Sequence, residues 1–121
     1  MLMGKMQRDK GRRFELKLAS IFREHGYESR RTAQYCGNTG DASDVIGLPG
    51  IHIEAKHQEK MLLYAWVKQA VDDAKAAGKG HFPTVFHKKN NADILVTMRL
   101  CDWMKLYKAW ETSEGGKDNG L

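Results

Sequence analysis

Apolar residues Phe14, Leu18, Ile21 and Phe22 recur at helical spacing and Gly26 follows as a stop signal, which predicts a helix over residues 12–25. A loosely alternating stretch over 27–33 predicts a strand entering a polar loop at 34–43. Two short apolar runs follow, Asp44-Val45-Ile46-Gly47 and Ile51-His52-Ile53-Glu54-Ala55-Lys56, separated by Leu48-Pro49-Gly50, and they predict a β-hairpin. Leu63, Val67, Ala70, Val71, Ala74 and Ala77 return to helical spacing up to Gly78, with alanines small enough to let the helix lie close to a sheet. Strands are expected near 84–87 and 94–99, joined by Lys88-Lys89-Asn90-Asn91, and then a helix capped by Asp102 that carries Trp103, Leu106, Tyr107 and Trp110 on one side. The order is α-β-β-β-α-β-β-α without a repeat or linker, and predicts an α/β fold with a central mixed sheet flanked by helices.

The hairpin concentrates the candidate chemistry. Side chains alternate along a strand, so Glu54 and Lys56 share one face, about 7 Å apart, while Ile51, Ile53 and Ala55 share the other. If Leu48-Pro49-Gly50 is a three-residue loop with Gly50 left-handed, Gly47 pairs with Ile51, Val45 with Ile53 and Asp44 with Glu54. The two carboxylates then lie on strands about 4.8 Å apart, close enough to hold one ion with oxygen ligands at about 2.0–2.1 Å. A two- or four-residue loop places them on opposite faces. Adjacent carboxylates need a compensating charge, which Mg²⁺ supplies, and oxygen-only ligands favour Mg²⁺ or Mn²⁺ over zinc. The competing reading makes Glu54 and Lys56 an ordinary exposed pair and Asp44 a turn residue.

Length and charge narrow the partner. The 121 residues suit one core that buries roughly two-thirds of the unfolded surface. Net charge is +5, and Lys5, Arg8, Lys10, Arg12, Arg13, Lys17, Arg23, Arg30 and Arg31 crowd the first quarter, a pattern suited to a polyanion or to a solvated cationic face. No helix pairs a basic face with an exposed, aromatic-rich apolar one, so a membrane surface fits less well. Cys36 and Cys101 stand apart, which suggests reduced thiols rather than a disulfide framework. With no signal-like or spanning apolar run, a cytoplasmic location is expected. Residues 1–10 are expected to be a basic N-terminal arm, 11–112 the folded domain and 113–121 a flexible tail.

At these residues the sequence resembles the PD-(D/E)XK nuclease superfamily, and within it the archaeal-type Holliday junction resolvases and related phage-encoded nucleases. Gly11-Arg12-Arg13-Phe14-Glu15 resembles the opening helix, Asp44-Val45-Ile46 the Asp-apolar-apolar strand, and Ile53-Glu54-Ala55-Lys56 the central Glu-x-Lys. Leu63-Tyr64 and Gln69 stand where the family has a Tyr and a Gln beginning its next helix. The likeness spans roughly residues 11–108. Ser43 replaces the motif's Pro, and Asp41 competes with Asp44, which is preferred because it abuts the apolar strand.

The resemblance implies a Mg²⁺-dependent endodeoxyribonuclease, with Mn²⁺ as substitute, leaving a 5′-phosphate and a 3′-hydroxyl. It implies that Asp44, Glu54 and the Ala55 main-chain carbonyl hold the metal and that Glu15 adds a ligand directly or through water. Lys56 would orient the attacking water and stabilise charge in the transition state, with Gln69 hydrogen bonding near the site. Branched or four-way-junction DNA and a homodimer follow from the same likeness. A nuclease acting on duplex, flap or single-stranded DNA, or a non-catalytic DNA-binding module, are the alternatives.

Arg12, Arg13, Arg30, Arg31, Lys88 and Lys89 are candidate phosphate contacts. His52 and His57 flank the motif without a His or Cys partner at metal spacing, and are expected to be structural. Trp103, Tyr107 and Trp110 are expected to be core or a dimer contact rather than a platform for base stacking.

Overall fold

The computed structural model describes residues 2–32 and 43–115. Residues 34–42 of the expected polar loop, with Cys36 and Asp41 among them, and most of the expected tail lie outside them. Helix α1 (Leu2–Glu24) leads into β1 (Arg30–Arg31), β2 (Val45–Ile46) and β3 (Ile51–His57). Helix α2 (Leu63–Ala77), strands β4 (Phe82–Lys88) and β5 (Leu95–Thr97), and helix α3 (Leu100–Trp110) complete the order, and a π-helical turn (Glu111–Gly115) follows α3. The five strands form one sheet in chain order. Only β3 and β4 run parallel, with α2 as their crossover, and the other pairings are antiparallel. The expected mixed sheet with flanking helices is therefore found.

Three elements differ from expectation in extent. Helix α1 begins at Leu2 rather than near Arg12, so it takes in residues expected to form a basic arm. Lys5, Met6, Gln7, Arg8 and Lys10 are strong helix formers, but residues 4–8 are exposed and so show no apolar periodicity. Strand β1 is only two residues long. Asp102 is not the cap of α3: Arg99 holds that position in extended conformation, and Asp102 lies in the first turn, where Oδ2 accepts from Arg99 Nε at 3.0 Å.

The two sheet faces are covered unequally. Against α1, Val45, Ile53, Ala55 and Phe86 pack with Phe14, Leu18 and Ala19 as one apolar cluster. On the other face Val85 packs with Trp66 and Ala70 of α2. Val45 and Ile53 have no exposed surface; full burial of such side chains stabilises by about 1.5–3 kcal/mol each. The same strand β3 thus presents Ile53 and Ala55 to a dry core and Glu54 and Lys56 to the opposite face.

The hairpin register follows from its turn. Ile51 N–H donates to the Leu48 carbonyl at 3.1 Å, with Pro49 and Gly50 between them and Gly50 at φ 83°, the left-handed conformation a type II turn needs at that position. Val45 pairs with Ile53. Gly47 has a separate constraint: at φ 116° a Cβ there would lie 2.5 Å from the Glu28 carbonyl oxygen and the Ser29 Cα, so only glycine lets β2 lie this close to the segment before β1.

Candidate active site

Asp44 departs from the strict pairing expected of it. The regular β2–β3 ladder is confined to Val45 and Ile53; the Asp44 N–H donates to the Ile53 carbonyl at 3.0 Å instead of forming a pair with Glu54. Its carboxylate nevertheless reaches the same segment, because Oδ2 accepts from the Ala55 N–H at 2.8 Å. On the other side the Thr32 N–H donates to the Asp44 carbonyl at 3.1 Å, while the Thr32 hydroxyl donates to the Ser43 carbonyl at 2.7 Å. The residue opening β2 is thus held from both sides.

Glu54 is the most unusual group in the fold. Its side chain is 1% exposed; Oε1 lies 3.1 Å from His52 Nε2, and Oε2 has no partner at hydrogen-bond geometry among the described residues. Burial pushes its carboxyl up to about 10, with the charge of Asp44 and the hydrogen bond and charge of Asp73 adding to the effect and Lys56 opposing it. The carboxyl is therefore neutral near pH 7 unless a cation joins it. A carboxylate pair needing positive charge, with one orphaned buried oxygen, fits a divalent ion held by oxygen ligands.

Glu15, on the edge of α1's buried stripe, belongs to the same electrostatic group. Burial raises its carboxyl and Asp44 raises it further, whereas the hydrogen bond from Arg31 lowers it. The Arg31 Nε donates to Glu15 Oε1 at 2.6 Å, so Arg31, a candidate phosphate contact, is engaged with a candidate metal ligand. Lys56 is half-buried near the end of β3 and acts on both Glu15 and Glu54. Asp44, Glu54, Lys56 and Glu15 thus come together from α1, β2 and β3.

Other expected residues lie elsewhere. Gln69 is exposed on α2, and among the described residues no hydrogen bond joins it to this group. Arg13 lines an open groove of about 420 Å³ with Met6, Lys10, His57 and Asn90, while Arg12, Arg30 and Lys89 are exposed and Lys88 ends β4. Trp103, Tyr107 and Trp110 are not core: all three are exposed, with Trp103 and Tyr107 stacked at 5.2 Å. Cys101 is an exposed thiol. No helix among the described residues is long and apolar enough to cross a membrane.

His52 has a position the motif did not suggest. It is 2% exposed, burial lowers its pKa, and Nδ1 lies 2.9 Å from Ser43 Oγ. Its metal-competent neighbours are Glu54 and Asp73; their ligand atoms and that of His52 all lie within 4.8 Å of one another. Asp73 is 21 residues away on α2, beyond any short spacing rule. The one visible hint is its position three residues after the buried Ala70 and one before the buried Ala74, on the side of α2 that faces the sheet.

Residues 6–116 match the family described as "Phage putative PDDEXK endonuclease". Among solved structures, that of Archaeoglobus fulgidus Hjc, a Holliday junction resolvase from an archaeal hyperthermophile, is similar over 73% of this chain and 76% of that one, with a TM-score of 0.57 and 24% identity. At that identity the likeness bears on the fold. No curated protein matches the sequence. With the family match running over nearly the whole length, Asp44 leading into β2 and Glu54 and Lys56 on the adjoining β3, the chain belongs to this PDDEXK endonuclease family.

Proposed function

We propose that the protein is a Mg²⁺-dependent DNA endonuclease that cuts branched DNA, four-way junctions in particular, as a homodimer, with Mn²⁺ able to replace Mg²⁺. The observation that carries the reading is the buried Glu54 carboxyl beside Asp44, one oxygen orphaned, with Asp44 anchored to the Ala55 N–H. Asp44, Glu54, the Ala55 carbonyl and Glu15 would hold the ion. When bound, it supplies Lewis acidity and a water of lowered pKa. Lys56, cationic and half-buried on the same face as Glu54, orients the attacking water and offsets charge developing on the phosphate. In-line attack leaves a 5′-phosphate and a 3′-hydroxyl.

The family supports the nuclease chemistry, and the fold shared with a Holliday junction resolvase supports the branched substrate. Arg12, Arg13, Arg30, Lys88 and Lys89 supply phosphate contacts that position a duplex without reading its sequence. Arg31 has a different first duty, to hold Glu15. Gln69 contributes only if substrate or a partner brings a polar group to its exposed position on α2.

The test presents four-way junctions, flaps, linear duplex and single strands with Mg²⁺ to the parent, Asp44→Ala and Glu54→Ala. The proposal expects cleavage by the parent alone, fastest on junctions. Equal cleavage by all three defeats the site assignment. Faster cleavage of duplex or flaps moves the substrate to another class, and binding without cleavage supports a non-catalytic DNA-binding module.

A further inference from the structure

We infer that His52, Glu54 and Asp73 form a second divalent-cation site, which takes a borderline transition ion such as Mn²⁺, Co²⁺ or Zn²⁺ and shares Glu54 with the candidate catalytic pair. It rests on the proposed nuclease reading only through that shared residue. The three side chains converge from β3 and α2, and their ligand atoms all lie within 4.8 Å of one another. His52 Nε2 and Glu54 Oε1 are 3.1 Å apart, as suits two atoms each about 2.0–2.2 Å from one ion.

Two features besides the convergence point to a ligand, the first of them shared with the candidate catalytic pair. The Glu54 side chain is 1% exposed, its Oε2 meets no donor at hydrogen-bond geometry among the described residues, and the neighbouring Asp73 brings a second carboxyl rather than a cation. The His52 ring is also fixed from behind: Nδ1 lies 2.9 Å from Ser43 Oγ, so that Nε2 is turned toward the carboxylates, the arrangement that commonly orients a metal-binding imidazole. Asp72, beside Asp73 in sequence, is excluded because it faces away and pairs with Lys68 at 2.7 Å.

The donor set selects the ion class. One imidazole nitrogen with two carboxylates suits Mn²⁺, Co²⁺ or Zn²⁺, whereas Mg²⁺ prefers an all-oxygen shell like that offered by Asp44, Glu54 and Glu15. His52 also borders, with Ser43, Ala74, Lys79 and His81 among others, a cavity of about 120 Å³ between the hairpin and the end of α2. An ion held by the three side chains ties β3 to α2 and fixes the orientation of Glu54.

The test is pulsed electron paramagnetic resonance on the chelator-stripped full chain loaded with Mn²⁺. Nitrogen-14 modulation from a directly bound imidazole is expected in the parent and in Asp44→Asn, and its loss is expected in His52→Gln. Asp73→Asn, on a half-buried helix position, should weaken the nitrogen-coupled Mn²⁺ at least about tenfold, and it decides the matter if His52→Gln does not fold. Absence of nitrogen coupling in the parent overturns the proposal, as does its persistence in folded His52→Gln or unchanged Mn²⁺ affinity in Asp73→Asn. A parent that shows the coupling but cuts no DNA defeats the nuclease reading and leaves this site standing.

Discussion

Glu54→Gln should stabilise the metal-free protein by a margin that widens with pH. Glu54 is 1% exposed, one of its oxygens has no partner, and Asp44 and Asp73 both disfavour its ionised form. Its folded pKa of about 10, against 4.5 for the unfolded group, means that above pH 4.5 the folded state holds a proton the unfolded state has released. Stability from this group is fully present below 4.5 and falls as pH rises toward 10, by at most about 1.4 kcal/mol per pH unit. The difference between the two proteins isolates it, because His52, His57 and His87, all lowered from 6.5 chiefly by burial, contribute an opposite, rising slope that both proteins share and that fades toward pH 8.5 as their unfolded forms finish titrating. Glutamine keeps the shape and the polarity without the ionisation, so its advantage over the parent grows by up to about 1.4 kcal/mol per pH unit. Urea unfolding in EDTA at pH 7.0, 7.5, 8.0 and 8.5 reads both effects. Glu54→Gln is expected to be the more stable protein, by a margin that widens with pH, and parallel slopes for the two proteins refute the reasoning.

Lys56→Ala should leave Mg²⁺ affinity by calorimetry within about twofold of the parent while lowering single-turnover cleavage about 10²-fold or more; lost metal affinity contradicts its role. Removing the guanidinium in Arg31→Ala breaks the 2.6 Å pair with Glu15 and should cost about 1 kcal/mol in urea unfolding, since both partners are partly solvated. Gly47→Ala, with a Cβ 2.5 Å from two backbone atoms and φ 116°, should cost about 2 kcal/mol or more, and a loss below about 0.5 kcal/mol would show that β2 is not pinned there. Arg13→Ala should weaken binding to every DNA sequence alike and reduce the slope of log affinity against log salt by about one, whereas a sequence-selective loss would mean that it reads bases.

The α2 bounds and the Val45–Ile53 pairing were legible because local chemistry dictates them: helical spacing ending at Gly78, and a Pro-Gly turn whose length fixes the alternation of faces. The extension of α1 to Leu2 was hidden because its first turns bury little and leave no periodic trace. Asp102 was misplaced as a cap, since the same residue type also serves in a first turn when an arginine precedes it by three. Trp103, Tyr107 and Trp110 carry helical spacing without a core to face, and spacing alone does not say what an apolar stripe meets. In the site, the Glu54–Lys56 face followed from strand alternation, but the shift of Asp44 onto the Ala55 N–H did not, because a strand's irregular end depends on its neighbours. His52 and Asp73 were invisible as a pair because the sheet and α2 bring them together only in three dimensions.

The central claim, that the carboxylates of Asp44 and Glu54 bind the ion that cuts DNA, is tested most directly by cleavage of a labelled four-way junction with and without Mg²⁺, comparing the parent with Asp44→Asn at matched folding. Mg²⁺-dependent cutting by the parent and at least about a 10³-fold loss in the variant are expected. Cutting that persists in EDTA, or that survives in Asp44→Asn at the parent's rate, contradicts it.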